Sequence, residues 1–239
     1  MRSYLPPGWQ PLAETEVEGL YSLLVGGQSE RRGTRNFHLL YVGAARLART
    51  EKLTDALAVL ESHLQLLVAA TSTEGLFIHA GVVGWQGQAI LIPGRTFSGK
   101  STLVAALLQA GATYYSDEYA IIDKEGRVWP YPRLLSLRDS AGNPERRCNP
   151  EELGGEVGVK PLPVGLIVIA RYEAGARWQA RRLSPAKAML ALMDNTVAAR
   201  SQPRDTMDRL QLVATRARAI KSKRGEAADV ATRILKLLA

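Results

Sequence analysis

The chain has 239 residues, 46% of them apolar and 23% charged, a mixture that excludes a mainly disordered state and suits one large domain or two small ones. Purely apolar runs such as Leu166-Ile167-Val168-Ile169-Ala170 fall far short of the roughly 20 residues a membrane helix needs, and Met1–Gly8 shows no secretory pattern. The single Cys148 excludes an internal disulfide and a cysteine-built zinc site, so a cytoplasmic protein without membrane association is expected. The net charge of +8 is uneven: residues 171–239 hold 15 Lys and Arg against 6 Asp and Glu, a balance of +9, which leaves −1 for the rest. Such asymmetry favours an anionic partner or a solvated helical face.

In chain order, the pattern predicts a short helix around Glu14 to Leu24 and a polar loop over Gly26–Gly33. A strand follows over Phe37–Val42, then a helix over Thr54–Leu67 with Leu57, Leu60, Leu64 and Leu67 on one face and Thr54 as its cap. His38 and His63 fall in these elements without a partner motif and are read as structural. From Gly75 a hairpin is expected, Leu76–Val83 and Gln88–Pro93, joined by Gly84-Trp85-Gln86-Gly87. A helix over Thr102–Ala110 with Gly111 at its C-terminus follows, then strands over Thr113–Ser116 and Ala120–Ile122 and a turn at Lys124–Gly126. Prolines 130, 132, 161 and 163 interrupt the next segment, Gly165–Ala170 reads as a buried strand, and Pro185–Leu238 reads as mainly helical, clearest over Ala186–Met193 and Ala227–Leu238. No internal repeat is present.

Between the second hairpin strand and the Thr102 helix lies Gly94-Arg95-Thr96-Phe97-Ser98-Gly99-Lys100-Ser101, the Gly-x-x-x-x-Gly-Lys-Ser pattern of a phosphate-binding loop. Its glycines let several backbone N–H groups turn toward one anion, and the helix that follows points its positive end at the same place. Lys100 can reach β and γ phosphates, and the Ser101 hydroxyl can ligate Mg²⁺. Gly94 through Thr102 are therefore the candidate nucleotide contacts, with ATP and Mg²⁺ the expected ligands. Asp117 and Glu118 close the strand after the loop helix, where one carboxylate can serve Mg²⁺ and the other can face an attacking hydroxyl. His79, on the strand leading to the loop, can orient a carboxylate or share its proton. Arg133 and Arg138 are candidates for further positive charge, whereas Cys148 has no pattern of a catalytic thiol around it.

These elements together resemble the C-terminal catalytic domain of HPr kinase/phosphorylase. The likeness runs over about 45 residues, from Leu76 to Asp123, through Ile78-His79-Ala80-Gly81, Ile90-Leu91-Ile92-Pro93-Gly94, the loop, and Gly111-Ala112-Thr113-Tyr114-Tyr115-Ser116-Asp117-Glu118. The intervals agree as well, 15 residues from His79 to Gly94 and 17 from Lys100 to Asp117. ATP-dependent phosphoenolpyruvate carboxykinase is similar at the loop and the acidic pair. The resemblance implies a mixed β-sheet P-loop domain of that type over residues 75–239, with a small N-terminal α+β extension over 1–74. It implies Asp117 as the base that takes a serine proton, His79 as its support, and Glu118 beside Ser101 at the metal. Thr102 stands where those kinases have Glu, Glu118 where they have a second Asp, and their Arg-Gly-Leu-Gly signature is absent. The chain thus looks more like the shorter HPr-kinase-related proteins, to which Pro130–Leu137 and Arg224–Ala227 are also similar.

The expected function is that of an ATP-dependent kinase whose γ-phosphoryl group goes to a serine-type hydroxyl of a protein or peptide. The alternative is a nucleotide-binding regulatory protein without transfer. The ring assembly of HPr kinases makes a homo-oligomer an expectation of the resemblance. A nucleic-acid partner is not expected, because no such motif is present and aromatic residues are 6% of the chain, too few for stacking platforms.

Overall fold

The protein is described here from a computed structural model covering residues 4–13, 17, 19–26, 35–95, 98–137 and 146–238. The chain divides into two compact units, Met1–Val68 and Ala69–Ala239. In the first, β1 (Tyr21–Leu24), β2 (His38–Val42) and β3 (Ala45–Thr50) form an antiparallel sheet in that order, followed by α1 (Leu53–Thr71), within which the division falls. The expected helix over 14–24 is thus corrected at its end: Tyr21–Leu24 pairs with Leu39–Val42 as a strand, because an edge strand gains ladder hydrogen bonds that helical spacing alone cannot offset. Residues 14–16 and 18, and most of the expected 26–33 loop, lie outside the described residues. His63 Nδ1 meets the Tyr21 hydroxyl at 2.7 Å and His38 Nδ1 accepts from the Gly26 N–H at 3.3 Å, so both histidines have local partners.

By length and composition α1 is the one described helix that could cross a membrane, with 19 residues and a mean hydropathy of 1.3. Asp55 and Glu61 interrupt its apolar runs. Acidic side chains near a bilayer centre are disfavoured.

The second unit is mixed α/β, built on an eight-stranded sheet. Its path begins at β12 (Arg181–Arg182) and runs through β13 (Arg218–Arg224), β11 (Leu162–Tyr172), β5 (Gln88–Pro93), β4 (Leu76–Trp85) and β7 (Tyr119–Ile122) to β8 (Arg127–Trp129). β6 (Thr113–Ser116) also pairs with β4, and β8 also pairs with the start of β11. β11 lies parallel to both β5 and β13, so the carboxyl ends of these three strands share one edge; the other pairings are antiparallel. A separate ribbon pairs β9 (Leu135–Leu137) with β10 (Arg146–Cys148), which buries Cys148; burial pushes its thiol pKa up, away from nucleophilic use.

Alternating strand residues supply two cores. Ile90, Ile92, Leu166, Val168 and Ile220 face α2 (Lys100–Gln109) and α5 (Ala227–Leu235). Leu91, Ile167 and Ala219 face α3 (Pro185–Met193) and α4 (Pro203–Arg216). The β4–β5 hairpin turns on Gln86 and Gly87 alone, both at positive φ (48° and 76°), so β4 runs two residues further than expected. At the end of α2, Gly111 takes φ 96° and the Ala112 N–H donates to the Leu107 carbonyl, the helix stop anticipated there.

Buried Arg209 ties α4 to the sheet. Its guanidinium pairs with Asp205 one turn earlier at 2.9 Å and donates to the carbonyls of Glu74 (2.8 Å), Ile122 (2.9 Å) and Thr73 (3.3 Å). Arg209→Ala strands those carbonyls without donors, and urea unfolding should show a loss of about 3 kcal/mol. Asp205→Asn, at a half-exposed partner, should cost less than about 1 kcal/mol. Equal losses would contradict a clamp made mainly to backbone.

Candidate functional site

β5 delivers Gly94 to the shared carboxyl edge, where its N–H donates to the His79 carbonyl at 3.2 Å and so fixes the loop's start on β4. At the loop's other end Gly99 holds φ 85°, and its carbonyl accepts from Leu103 to begin α2 at Lys100. The close packing of this turn leaves no room for side chains at its glycines. A Cβ on Gly94 would meet Ser98 Oγ at 2.6 Å, and one on Gly99 would meet Arg224 Nη2 at 2.5 Å. Arg95 and Thr102 are exposed at the rim, and Thr96 and Phe97 lie outside the described residues.

Two groups inside the turn have chemistry to spare. Ser98 Oγ is buried without a hydrogen-bond partner among the described residues. Lys100 is 8% exposed and its Nζ donates to the Arg95 carbonyl at 3.0 Å, its one hydrogen bond among the described residues. Burial pushes its pKa down, and the charges of Glu118 and Asp117 oppose that shift. A buried ammonium, an orphaned hydroxyl and a helix N-terminus converge where an anion of several oxygens would satisfy them.

The acidic pair occupies the two residues between β6 and β7, both of which pair with β4. Ser116 Oγ accepts from the N–H groups of Glu118 (3.2 Å) and Tyr119 (3.1 Å) and sets the turn. Asp117 is 5% exposed, and the Tyr114 hydroxyl donates to its Oδ1 at 3.0 Å. Burial raises its pKa, although hydrogen bonds from Ser101 and Tyr114 oppose the rise. Glu118 stands further out. Burial pushes its pKa up too, but His79, Lys100 and Arg133 outweigh that and hold the carboxyl below its usual range. His79 Nδ1 lies 3.4 Å from Glu118 Oε1, close enough for charge to be felt but without a hydrogen bond among the described residues, and its ring packs 4.5 Å from that of Tyr119.

The structure therefore brings His79, Lys100, Ser101, Asp117 and Glu118 to one place. The His79 ring faces Glu118 rather than Asp117, the acid that the resemblance implies it supports. The reason is the register of β4, which sets His79 opposite Tyr119, the residue next to the outer acid. Arg133 acts on both carboxylates through its charge, whereas Arg138 lies outside the described residues.

Arg224 is the site residue that sequence reasoning missed. It ends β13 beside Tyr172, is 2% exposed, and donates from Nη2 to the Gly99 carbonyl at 2.8 Å and from Nη1 to the Gly225 carbonyl at 2.9 Å. The only signal in the sequence was the Arg224–Ala227 likeness. Nothing in it placed that segment against the loop.

The donor set fits a nucleotide phosphate with Mg²⁺. Among the described residues no three His, Cys, Asp or Glu side chains gather to hold a metal. Mg²⁺ does not need such a cage, since it binds one or two carboxylates, waters and substrate phosphates, and Ser101, Asp117 and Glu118 offer that much. Compared with protein-family models and with curated proteins, the chain matches none.

Because Asp117 is buried with a raised pKa, its ionised form opposes folding. Its contribution to stability is full below the ordinary aspartate pKa and is lost as pH rises through the folded value. Asp117→Asn removes that cost, so urea unfolding at pH 7 should show a gain on the order of 1 kcal/mol that shrinks toward pH 4. A variant less stable than wild type at pH 7 would show the carboxylate to be a net stabilising group.

Proposed function

We propose that the protein is an ATP-dependent kinase of the HPr-kinase-related class, with the mixed-sheet fold of HPr kinase and phosphoenolpyruvate carboxykinase, which phosphorylates a serine-type hydroxyl on a protein or peptide. The observation that carries this reading is the meeting of a glycine-walled, lysine-bearing turn with an Asp-Glu pair and a histidine from separate strands of one sheet. A binding protein without transfer needs the turn and one carboxylate for Mg²⁺, but not a second acid beside a histidine.

In this reading ATP lies with its phosphates in the Gly94–Ser101 turn. Lys100 gives up its bond to the Arg95 carbonyl for phosphate oxygen, and Ser98 Oγ gains the partner it lacks. Mg²⁺, held by Ser101 and Asp117, would neutralise charge on the phosphates. The acceptor oxygen bonds to the γ-phosphorus as the bond to the β–γ bridging oxygen breaks, and that electron pair leaves with ADP. The hydroxyl proton goes to Glu118, beside which the His79 ring stands. Access supports this assignment: Glu118 is 36% exposed, whereas Asp117 is enclosed with the Tyr114 hydroxyl already donating to it. The reverse assignment, with Asp117 as base, has one observation in its favour, the upward push on its pKa, which makes it the stronger proton acceptor.

Incubation with γ-labelled ATP, Mg²⁺ and candidate serine peptides, read by mass spectrometry, tests the activity. Label on a peptide serine is the expected outcome; binding of ATP with neither transfer nor hydrolysis would favour the regulatory alternative. Lys100→Ala should lose most ATP affinity. Glu118→Gln should lower kcat by 10²-fold or more with little change in Mg²⁺ requirement, and Asp117→Asn should raise the Mg²⁺ needed for half-maximal rate by about tenfold or more. An exchange of these two phenotypes would return the base to Asp117.

A further inference from the structure

Beside the loop, the same sheet edge carries a second concavity. A groove of about 550 Å³ opens between the segment after β11 and the start of α5, and Trp178, Glu226, Asp229 and Arg233 line it. Its volume falls within the range of small-ligand sites, roughly 300–1,000 Å³. Its walls are fixed. The Gln179 N–H donates to Ser222 Oγ at 3.0 Å, the Glu173 N–H donates to the Arg224 carbonyl at 2.9 Å, and Gly225 approaches so closely that a Cβ there would meet the Ala176 carbonyl oxygen at 2.9 Å.

Groove and loop are joined by one side chain. Arg224 donates from one nitrogen to Gly99 of the loop and from the other to Gly225 of the groove wall, and Tyr172 lies over its guanidinium, 5.3 Å from carbon to ring centre. The Tyr172 hydroxyl in turn donates to Glu226 Oε1 at 3.2 Å. Gly225, which the Arg224 guanidinium links to the loop, lines the groove together with a half-buried indole and two carboxylates. Trp178 packs in part against the α2–α5 core and leaves the remainder of its ring to the groove. Flat aromatic rings stack on such a face, and carboxylates accept from vicinal hydroxyls.

We infer that this groove receives the nucleoside of the bound nucleotide, with the base against Trp178 and the ribose hydroxyls donating to Asp229 or Glu226. The inference rests on the reading that the Gly94–Ser101 turn takes a triphosphate. It makes the groove, rather than the loop, the part that distinguishes a nucleotide from a bare polyphosphate.

Calorimetric titration with MgATP and with magnesium tripolyphosphate separates the two claims. Wild type should bind MgATP at least about tenfold more tightly than tripolyphosphate. Trp178→Ala should weaken MgATP by about tenfold and leave tripolyphosphate unchanged within about twofold, and Asp229→Asn, at an exposed position, should do the same to a smaller degree. Photolabelling of the wild-type protein with 8-azido-ATP should attach within residues 173–182 or 225–233, a readout that does not depend on how any variant folds. Label elsewhere, or variants that weaken both ligands alike or neither, overturns the nucleoside groove and leaves the phosphate turn standing. Label displaced by an acceptor peptide but not by ATP would assign the groove to the acceptor and also overturns it. If wild type binds neither ligand, the triphosphate reading fails, and the groove assignment with it.

Discussion

The exchange of partners along β4 is the constraint on which the site depends. From Leu76 to His79 the strand pairs with β7; from Ala80 to Trp85 it pairs with β5, and from Val82 to Gly84 also with β6. The acids occupy the step between β6 and β7, and the loop springs from the end of β5, so one stretch of β4 sets both. Two backbone bonds make the connection: the Ala80 N–H donates to the Glu118 carbonyl at 3.1 Å, and the His79 carbonyl accepts from Gly94 at 3.2 Å. A slip of one residue would turn every β4 side chain to the opposite face and separate His79 from the acid.

A second constraint comes from charge in a poorly solvated place. Lys100, Asp117 and Arg224 are each at least nine-tenths buried, and the pKa of each is moved by burial toward its neutral form. The pairings lessen the cost without removing it: Tyr114 acts on Asp117, a carbonyl on Lys100, two carbonyls on Arg224. Buried charges incompletely matched by protein mark sites where a ligand completes the set. The orphaned Ser98 hydroxyl belongs to the same pattern.

Much of the central sheet was legible because its signals are local. The loop's glycines answer to backbone geometry, Gly111 to the end of a helix, and β4, β5 and β11 to apolar strand formers. What escaped was set by pairing at a distance. β13 carries Arg-Ala-Ile-Lys-Ser-Lys-Arg between two helices, a composition poor in strand formers that by itself continues the helical C-terminal pattern. It is a strand because β11 offers a parallel ladder from Leu166 to Tyr172. Its alternation buries Ile220, Ser222 and Arg224 while Lys221 and Lys223 stay exposed, so part of the basic C-terminal charge is the solvated side of this strand. Arg224 reaches the loop only through that pairing, and His79 comes to Glu118 only through the β4 register. Neither is written in motif spacing.

The account is tested most directly by a crystal structure with Mn²⁺ and a non-hydrolysable ATP analogue. It predicts an anomalous Mn²⁺ peak within bonding distance of Ser101 and Asp117, the γ-phosphate between Lys100 and the Glu118–His79 pair, and the Arg224–Gly99 bond unbroken. An analogue seated away from the Gly94–Ser101 turn, or a γ-phosphate with packed side chains between it and both carboxylates, would contradict it.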